Sequence, residues 1–126
     1  MAVQLPGSFG PADLAVLTTF LDGLPSGFAW AVEVRHPGFH AGGDHERALN
    51  DALHARGVDR IVLDSRPLFA GPRETPEEVE AWERKPRLAV RAVATGDQPV
   101  VRFIGQTDAE ANPPFWAPWV DRVARW

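Results

Sequence analysis

The 126 residues, 44% of them hydrophobic, suffice for one globular domain with a sizeable core. No run of about 18 apolar residues is present to span a bilayer, and Met1 to Ser8 lacks the basic-then-apolar profile of a secretory signal, so a cytoplasmic protein with no membrane partner is expected. The absence of cysteine excludes disulfides, thiolate nucleophiles and Cys-based zinc sites together, and a net charge of −4 argues against a general electrostatic grip on nucleic acid while leaving a local basic pocket open.

In chain order, Val3-Gln4-Leu5-Pro6 reads as the tail of a strand, followed by a Gly/Pro turn to Pro11. Leu14, Leu17, Leu21 and Leu24 then recur at helical spacing, with Pro11 in the first turn and Gly23 or Pro25 as the stop. Phe28 to Arg35 is a strand candidate bounded by turn residues. After a loop from Pro37 to Gly43, Asp44 is expected to cap a helix that buries Leu49, Ala52 and Leu53, with Gly57 in the left-handed position beyond it. Arg60 to Asp64 is a short β-branched run of the kind buried on both faces of a parallel sheet. Thr75-Pro76-Glu77-Glu78 spells a capping box, Lys85 to Pro99 reads as loop, and Val100 to Ile104 as a further strand. The last helix starts at Asn112-Pro113-Pro114, and its Trp116, Trp119, Val120, Val123 and Trp126 share one face that reads as core. Helices alternating with apolar strands predict an α/β fold with a parallel sheet.

The strand faces can be read chemically. In a β/α barrel one face of each strand meets helices and the other lines the interior, where the C-terminal ends build the site. With Val32 and Val34 toward helices, Glu33 and Arg35 point inward; with Ile61 and Leu63 toward helices, Val62 and Asp64 do so; Arg102 alternates with Val101 and Phe103. The expectation is a cluster of Glu33, Arg35, Asp64 and Arg102, with His36, Ser65 and Arg66 on the rim. Such a cluster fits an anion site, because three arginine forks suit phosphate or carboxylate. It fits equally an ion-pair network with no ligand.

Other signals are weaker. His36, His40, His45, Asp44 and Glu46 crowd one loop and helix start, but no His-Glu-x-x-His spacing is present and no metal site is assigned. His54 reads as exposed. Gly42-Gly43 lacks a phosphate-loop pattern, and Ser65 has no triad context. No cofactor follows from these residues.

Five segments taken together, FAWAVEVRHP (28–37), VDRIVLDSRPLF (58–69), RKPRL (84–88), ATGDQPVVRFIG (94–105) and PFWAPWVDRVARW (114–126), resemble the YecE-like family, domain of unknown function 72. The resemblance covers nearly the whole chain and implies a (β/α)8 barrel of the TIM type. Glu33, Arg35 and His36 match its Glu-x-Arg-His strand end, Asp64 and Arg66 its Asp-Ser-Arg, and Arg102 with Gly105 its next segment; His40 and His45 lie outside the pattern. A complete barrel takes about 250 residues. The expectation is therefore a single partial barrel domain over residues 1–126, about half of a barrel, truncated at both ends and inclined to self-association or to a complementing chain through open sheet edges. Its full-length form is expected to bind a phosphate-bearing or other anionic ligand, a small molecule or nucleic acid, at Glu33, Arg35, His36, Asp64, Arg66 and Arg102. The alternatives are a metal-assisted phosphoester hydrolase, with Glu33 or Asp64 as base or ligand and His36 assisting, and a structural module whose charges pair among themselves.

Overall fold

A computed structural model describes residues 1–126. Its centre is a parallel sheet of four strands in sequence order: β1 (Ala2–Gln4), β2 (Ala31–Glu33), β3 (Asp59–Asp64) and β4 (Val100–Phe103). The connections hold α1 (Leu14–Asp22), α2 (Asp44–His54), α3 (Arg66–Ala70) and α4 (Pro76–Arg84), and α5 (Pro113–Val123) follows the last strand. This is the expected α/β alternation. Only α3 was not foreseen; Pro67 in its first turn and Gly71 just past its end bound it so closely that no hydrophobic period can develop.

One core lies between the sheet and the first two helices. Leu17 and Leu21 of α1, Leu49 and Leu53 of α2 and the β2 side chains Val32 and Val34 are buried together, closed by Phe39 and Val58. The leucine spacing puts one stripe of each helix against the sheet, as read from the sequence. Gly57 has φ +60°, which permits the sharp turn from α2 into β3. The capping box also forms: Thr75 Oγ1 accepts from Glu78 N–H and Glu78 Oε2 accepts from Thr75 N–H at 3.1 Å. Asp44, by contrast, is not the cap. Gly43 holds that position, and Asp44 sits in the first turn, paired with Arg47.

Strand register decides which side chains share a face. Gln4 stands beside Glu33, Val32 beside Arg60, and Leu63 beside Arg102. Alternation on β2 and β4 is as expected. On β3 it is reversed: Arg60, Val62 and Asp64 share the helix-facing side with Val32 and Val34, whereas Ile61 and Leu63 share the open side with Glu33 and Arg102. The apolar character of Ile61 and Leu63 misled the assignment, because every residue of this strand is buried and hydrophobicity no longer marks a side.

Arg60 is accommodated on the helix side by an ion cluster. Its Nη1 donates to Glu46 Oε1 at 2.9 Å and Asn50 Oδ1 at 2.8 Å, and its Nη2 to Phe39 O at 2.6 Å. Arg91 Nε reaches the same Glu46 oxygen at 2.8 Å, and Gly42 N–H donates to the other. Arg60 and Glu46 are 1% and 2% exposed, so neither charge could persist without the other.

Residues 85–99 form no regular element but are fastened by side-chain ties, among them Gln98 N–H to Asp59 Oδ2 at 3.2 Å. Ser65 Oγ donates to Pro86 O at 2.8 Å, a His40 ring nitrogen meets Ala89 O at 3.0 Å, Arg91 binds Glu46, and Thr95 Oγ1 donates to Val58 O while accepting from Arg60 N–H. At the other end the tryptophan stripe departs from expectation. Trp119 is buried, but Trp116 and Trp126 are 45% and 41% exposed, because no further element packs on the outer side of α5.

Replacing Glu46 by Ala strands Arg60 without a counter-ion, so a loss of roughly 3–5 kcal/mol in unfolding free energy is expected. A denaturant titration measures it. Arg60→Ala should cost less than Glu46→Ala in charge terms, since Arg91 still neutralises Glu46; equal and small losses in both would show that the cluster does not support the core.

Candidate functional site

The open face of the sheet carries a compact charged group. Glu33, at the end of β2, is 1% exposed, and both of its carboxylate oxygens are taken: Arg35 Nε donates to Oε1 at 2.7 Å and Arg102 Nη1 to Oε2 at 2.8 Å. Gln4 Oε1 accepts from Arg35 Nη2 at 2.9 Å and from Arg102 Nη1 at 2.8 Å. Three strands thus contribute through positions that share a face. Arg35 Nη1 and Arg102 Nε and Nη2 have no protein partner. The arginine side chains are 19% and 42% exposed, and Arg102 lines a cleft of about 480 Å³ that runs past Gln4, Glu33, Ile61 and Val100. Two guanidiniums against one carboxylate leave an excess positive charge.

Asp64 and Arg66 do not join this cluster. The reversed alternation of β3 turns Asp64 to the helix side, where it is fully buried and accepts from Arg66 Nε and Nη2 at 2.9 and 2.7 Å and from the Trp119 indole N–H at 2.8 Å. Burial alone would raise this carboxyl, but the hydrogen bonds from Arg66 and Trp119 and the Arg66 charge hold it below the ordinary aspartate range. Glu46 behaves alike: burial pushes it up, and Arg91, the Gly42 N–H and Arg60 more than compensate. Arg66 is half exposed and lines, with Ser65, Phe69, Arg87 and Phe115, a separate cavity of about 340 Å³ beyond the end of β3.

The histidines have structural occupations. The His36 Nδ1 accepts from Gly38 N–H at 3.0 Å, and its ring packs edge-on against Phe39. Both His40 nitrogens face backbone carbonyls, those of Val34 and Ala89, so this residue is a buried tie. His45 and His54 are exposed, and no group of three or more His, Cys, Asp or Glu side chains is placed to hold a metal ion.

Sequence reasoning missed Gln4, Arg60 and Glu46. Gln4 could have been found, since a strand tail beside β2 must place one of its residues next to Glu33. Arg60 was visible too: an arginine inside a strand buried on both faces requires a carboxylate from the packed helix, and Glu46 is three residues before the core position Leu49.

A parallel sheet with connecting helices packed on one face, and a charged cluster at the strand ends of the other, defines an α/β protein of the strand–helix repeat type. The chain belongs to the family described as "Protein of unknown function DUF72", whose profile matches residues 1–126. It is 44% identical over 124 residues to the UPF0759 protein YecE of Escherichia coli strain K12, and equally to that of Escherichia coli O157:H7. That match covers 98% of this chain and 46% of each relative, so the chain spans about half the length of the curated relatives it matches. No solved structure matches it.

Acid stability follows from the buried carboxyls. Asp64 and Glu46 titrate lower folded than unfolded, so their stabilisation is complete above the unfolded values, about 3.9 and 4.3, and is lost as pH falls through the lower folded values. Urea midpoints taken between about pH 6 and pH 2.5 should drop steeply, and less steeply in Asp64→Asn. An unchanged slope in the variant would remove Asp64 from the account. Asp59 runs the other way: burial, with the Asp97 charge, raises its carboxyl against the N–H bonds that lower it, and its Oδ1 has no partner. Its ionisation above the raised folded value costs stability, so Asp59→Asn should raise the midpoint at about pH 7 and have little effect once the wild-type carboxyl is protonated.

Proposed function

We propose that the chain is part of a β/α barrel of the TIM type and that its Gln4–Glu33–Arg35–Arg102 cluster binds a small anionic group, a phosphate or a carboxylate, at the C-terminal strand ends. The observation that carries the reading is the pairing of one buried carboxylate with two partly exposed guanidiniums that keep unpartnered N–H groups, Arg102 lining the cleft. Glu33 and Gln4 fix the two forks, and the excess positive charge attracts the ligand. The barrel part is supported by the sequential parallel strand order and by the placement of α1, α2 and α5 on one face. The strand ends are also where parallel-barrel proteins carry their sites.

The hydrolase alternative has less support. Its two carboxylates, Glu33 and Asp64, lie on opposite faces of the sheet, each with its oxygens committed to arginines or the Trp119 indole. His36 is engaged with the Gly38 amide.

Calorimetric titration with inorganic phosphate tests the proposal. Binding is expected to weaken roughly ten- to a hundredfold in Arg102→Ala, the loss of a charge-assisted hydrogen bond, and to fall with added chloride. Arg66→Ala, in the separate cavity, should leave it unchanged. A parallel titration with a single-stranded oligonucleotide distinguishes the sources of phosphate: a salt dependence of several ion equivalents would point to nucleic acid, and a slope near one to a small anion. Binding of neither phosphate nor acetate, or binding indifferent to Arg102, would overturn the assignment.

A further inference from the structure

The cavity of about 340 Å³ beyond the end of β3 is separate from the Glu33 cluster and has a chemistry of its own. Its walls come from four pieces of chain: Ser65 and Arg66 where β3 passes into α3, Phe69 on α3, Arg87 and Leu88 in the irregular segment, and Phe115 in the first turn of α5. Neither outer strand of the sheet takes part. The volume falls within the range of roughly 300–1,000 Å³ that small-molecule sites occupy. Two arginines line it together with phenyl rings and a leucine, and no aspartate or glutamate does. The Ser65 hydroxyl proton is committed to Pro86 O.

Both guanidiniums are held in place by the protein. Arg66 forks onto the buried Asp64 through Nε and Nη2, at 2.9 and 2.7 Å, which leaves Nη1 without a protein partner. Arg87 is held differently, its guanidinium carbon 5.4 Å from the centroid of Phe69 and 5.7 Å from that of Trp82. Ring contacts occupy the face of a guanidinium, whereas its N–H groups point outward in its plane, and those of Arg87 meet no acceptor. Arg73, against the same Trp82 ring, has Glu83 as counter-ion at 3.5 Å; Arg87 has none. With Arg66 neutralised by Asp64, the charge of Arg87 is uncompensated beside an apolar wall.

We infer that this cavity is a second binding site and that its ligand is a small aromatic carboxylate. The carboxylate bridges the free N–H groups of Arg66 and Arg87, and the ring lies against Phe69, Leu88 and Phe115. A planar carboxylate matches guanidinium forks, and an aromatic body gains edge or offset contacts with phenyl rings beyond those of an aliphatic body of the same size. A bare phosphate or acetate has nothing to fill the apolar part, and a cation meets only donors. Because Asp64 and the two rings already orient the forks, binding immobilises little further side chain.

Calorimetric titration of the chain with benzoate tests the inference, with excess phosphate and acetate present to occupy the Glu33 cluster. Benzamide, the uncharged isostere, should bind at least about tenfold more weakly, and cyclohexanecarboxylate about two- to tenfold more weakly. Arg87→Gln alters an exposed position, so it should fold, as far-ultraviolet dichroism would verify, yet weaken benzoate roughly ten- to a hundredfold. Phe115→Ala should weaken it as well. A loss that follows Arg102→Ala in place of Arg87→Gln would put the carboxylate at the Glu33 cluster and overturn the inference while leaving the proposed anion site intact. No benzoate binding, equal binding of either analogue, or indifference to Arg87→Gln would also overturn it.

Discussion

The register between β2 and β3 governs the distribution of charge through the molecule. Placing Val32 beside Arg60 sends Arg60 and Asp64 to the helix side and leaves Ile61 and Leu63 on the open side. A shift by one residue would exchange these sets, burying leucine against the Glu46 carboxylate and exposing Arg60 to the cleft. The register is held because Arg60 finds Glu46, Asn50 and the Phe39 carbonyl only on one side. Here a polar cluster, rather than hydrophobic contact alone, specifies how two strands align. Val62 and Leu63 are both buried and would tolerate either side.

Three charge groups result, with different roles. Around Glu46 two arginines and a backbone amide enclose a carboxylate away from solvent, which makes it an internal support. Asp64 joins the end of β3 to α5 through the Trp119 indole and orients Arg66 with two parallel hydrogen bonds. The Glu33 group sets cationic donors on the open face of the sheet beside a cleft, and Arg66 lines the separate cavity beyond β3. Arginine count alone does not separate these cases, since the Glu46 group also holds two. The difference is place: the Glu46 group lies on the helix side, with Arg60 almost completely buried and Arg91 at its margin, whereas the Glu33 group lies on the open face of the sheet.

Much of the fold was legible in the sequence, because leucine spacing, the Thr75–Glu78 capping box and Gly57 are local signals that tertiary packing reinforced. Glu33, Arg35 and Arg102 were legible as one group for a similar reason: β2 and β4 keep clear alternation. Asp64 was misplaced because β3 is buried throughout and its period-two signal is absent. The exposure of Trp116 and Trp126 was illegible from a stripe on one helix, which tells which residues face together but not whether anything lies opposite. Gln4 was overlooked because its role depends on a neighbour distant in sequence.

The segment 85–99 is held by side-chain ties at Ser65, His40, Glu46 and Thr95 instead of a backbone ladder. Spatial order and amide protection are therefore uncoupled along it. Most of its N–H groups have no carbonyl to bond, so they exchange with deuterium quickly even while the segment stays in place. Rapid labelling there would reflect missing backbone partners, and its position would have to be read from the side chains that pin it.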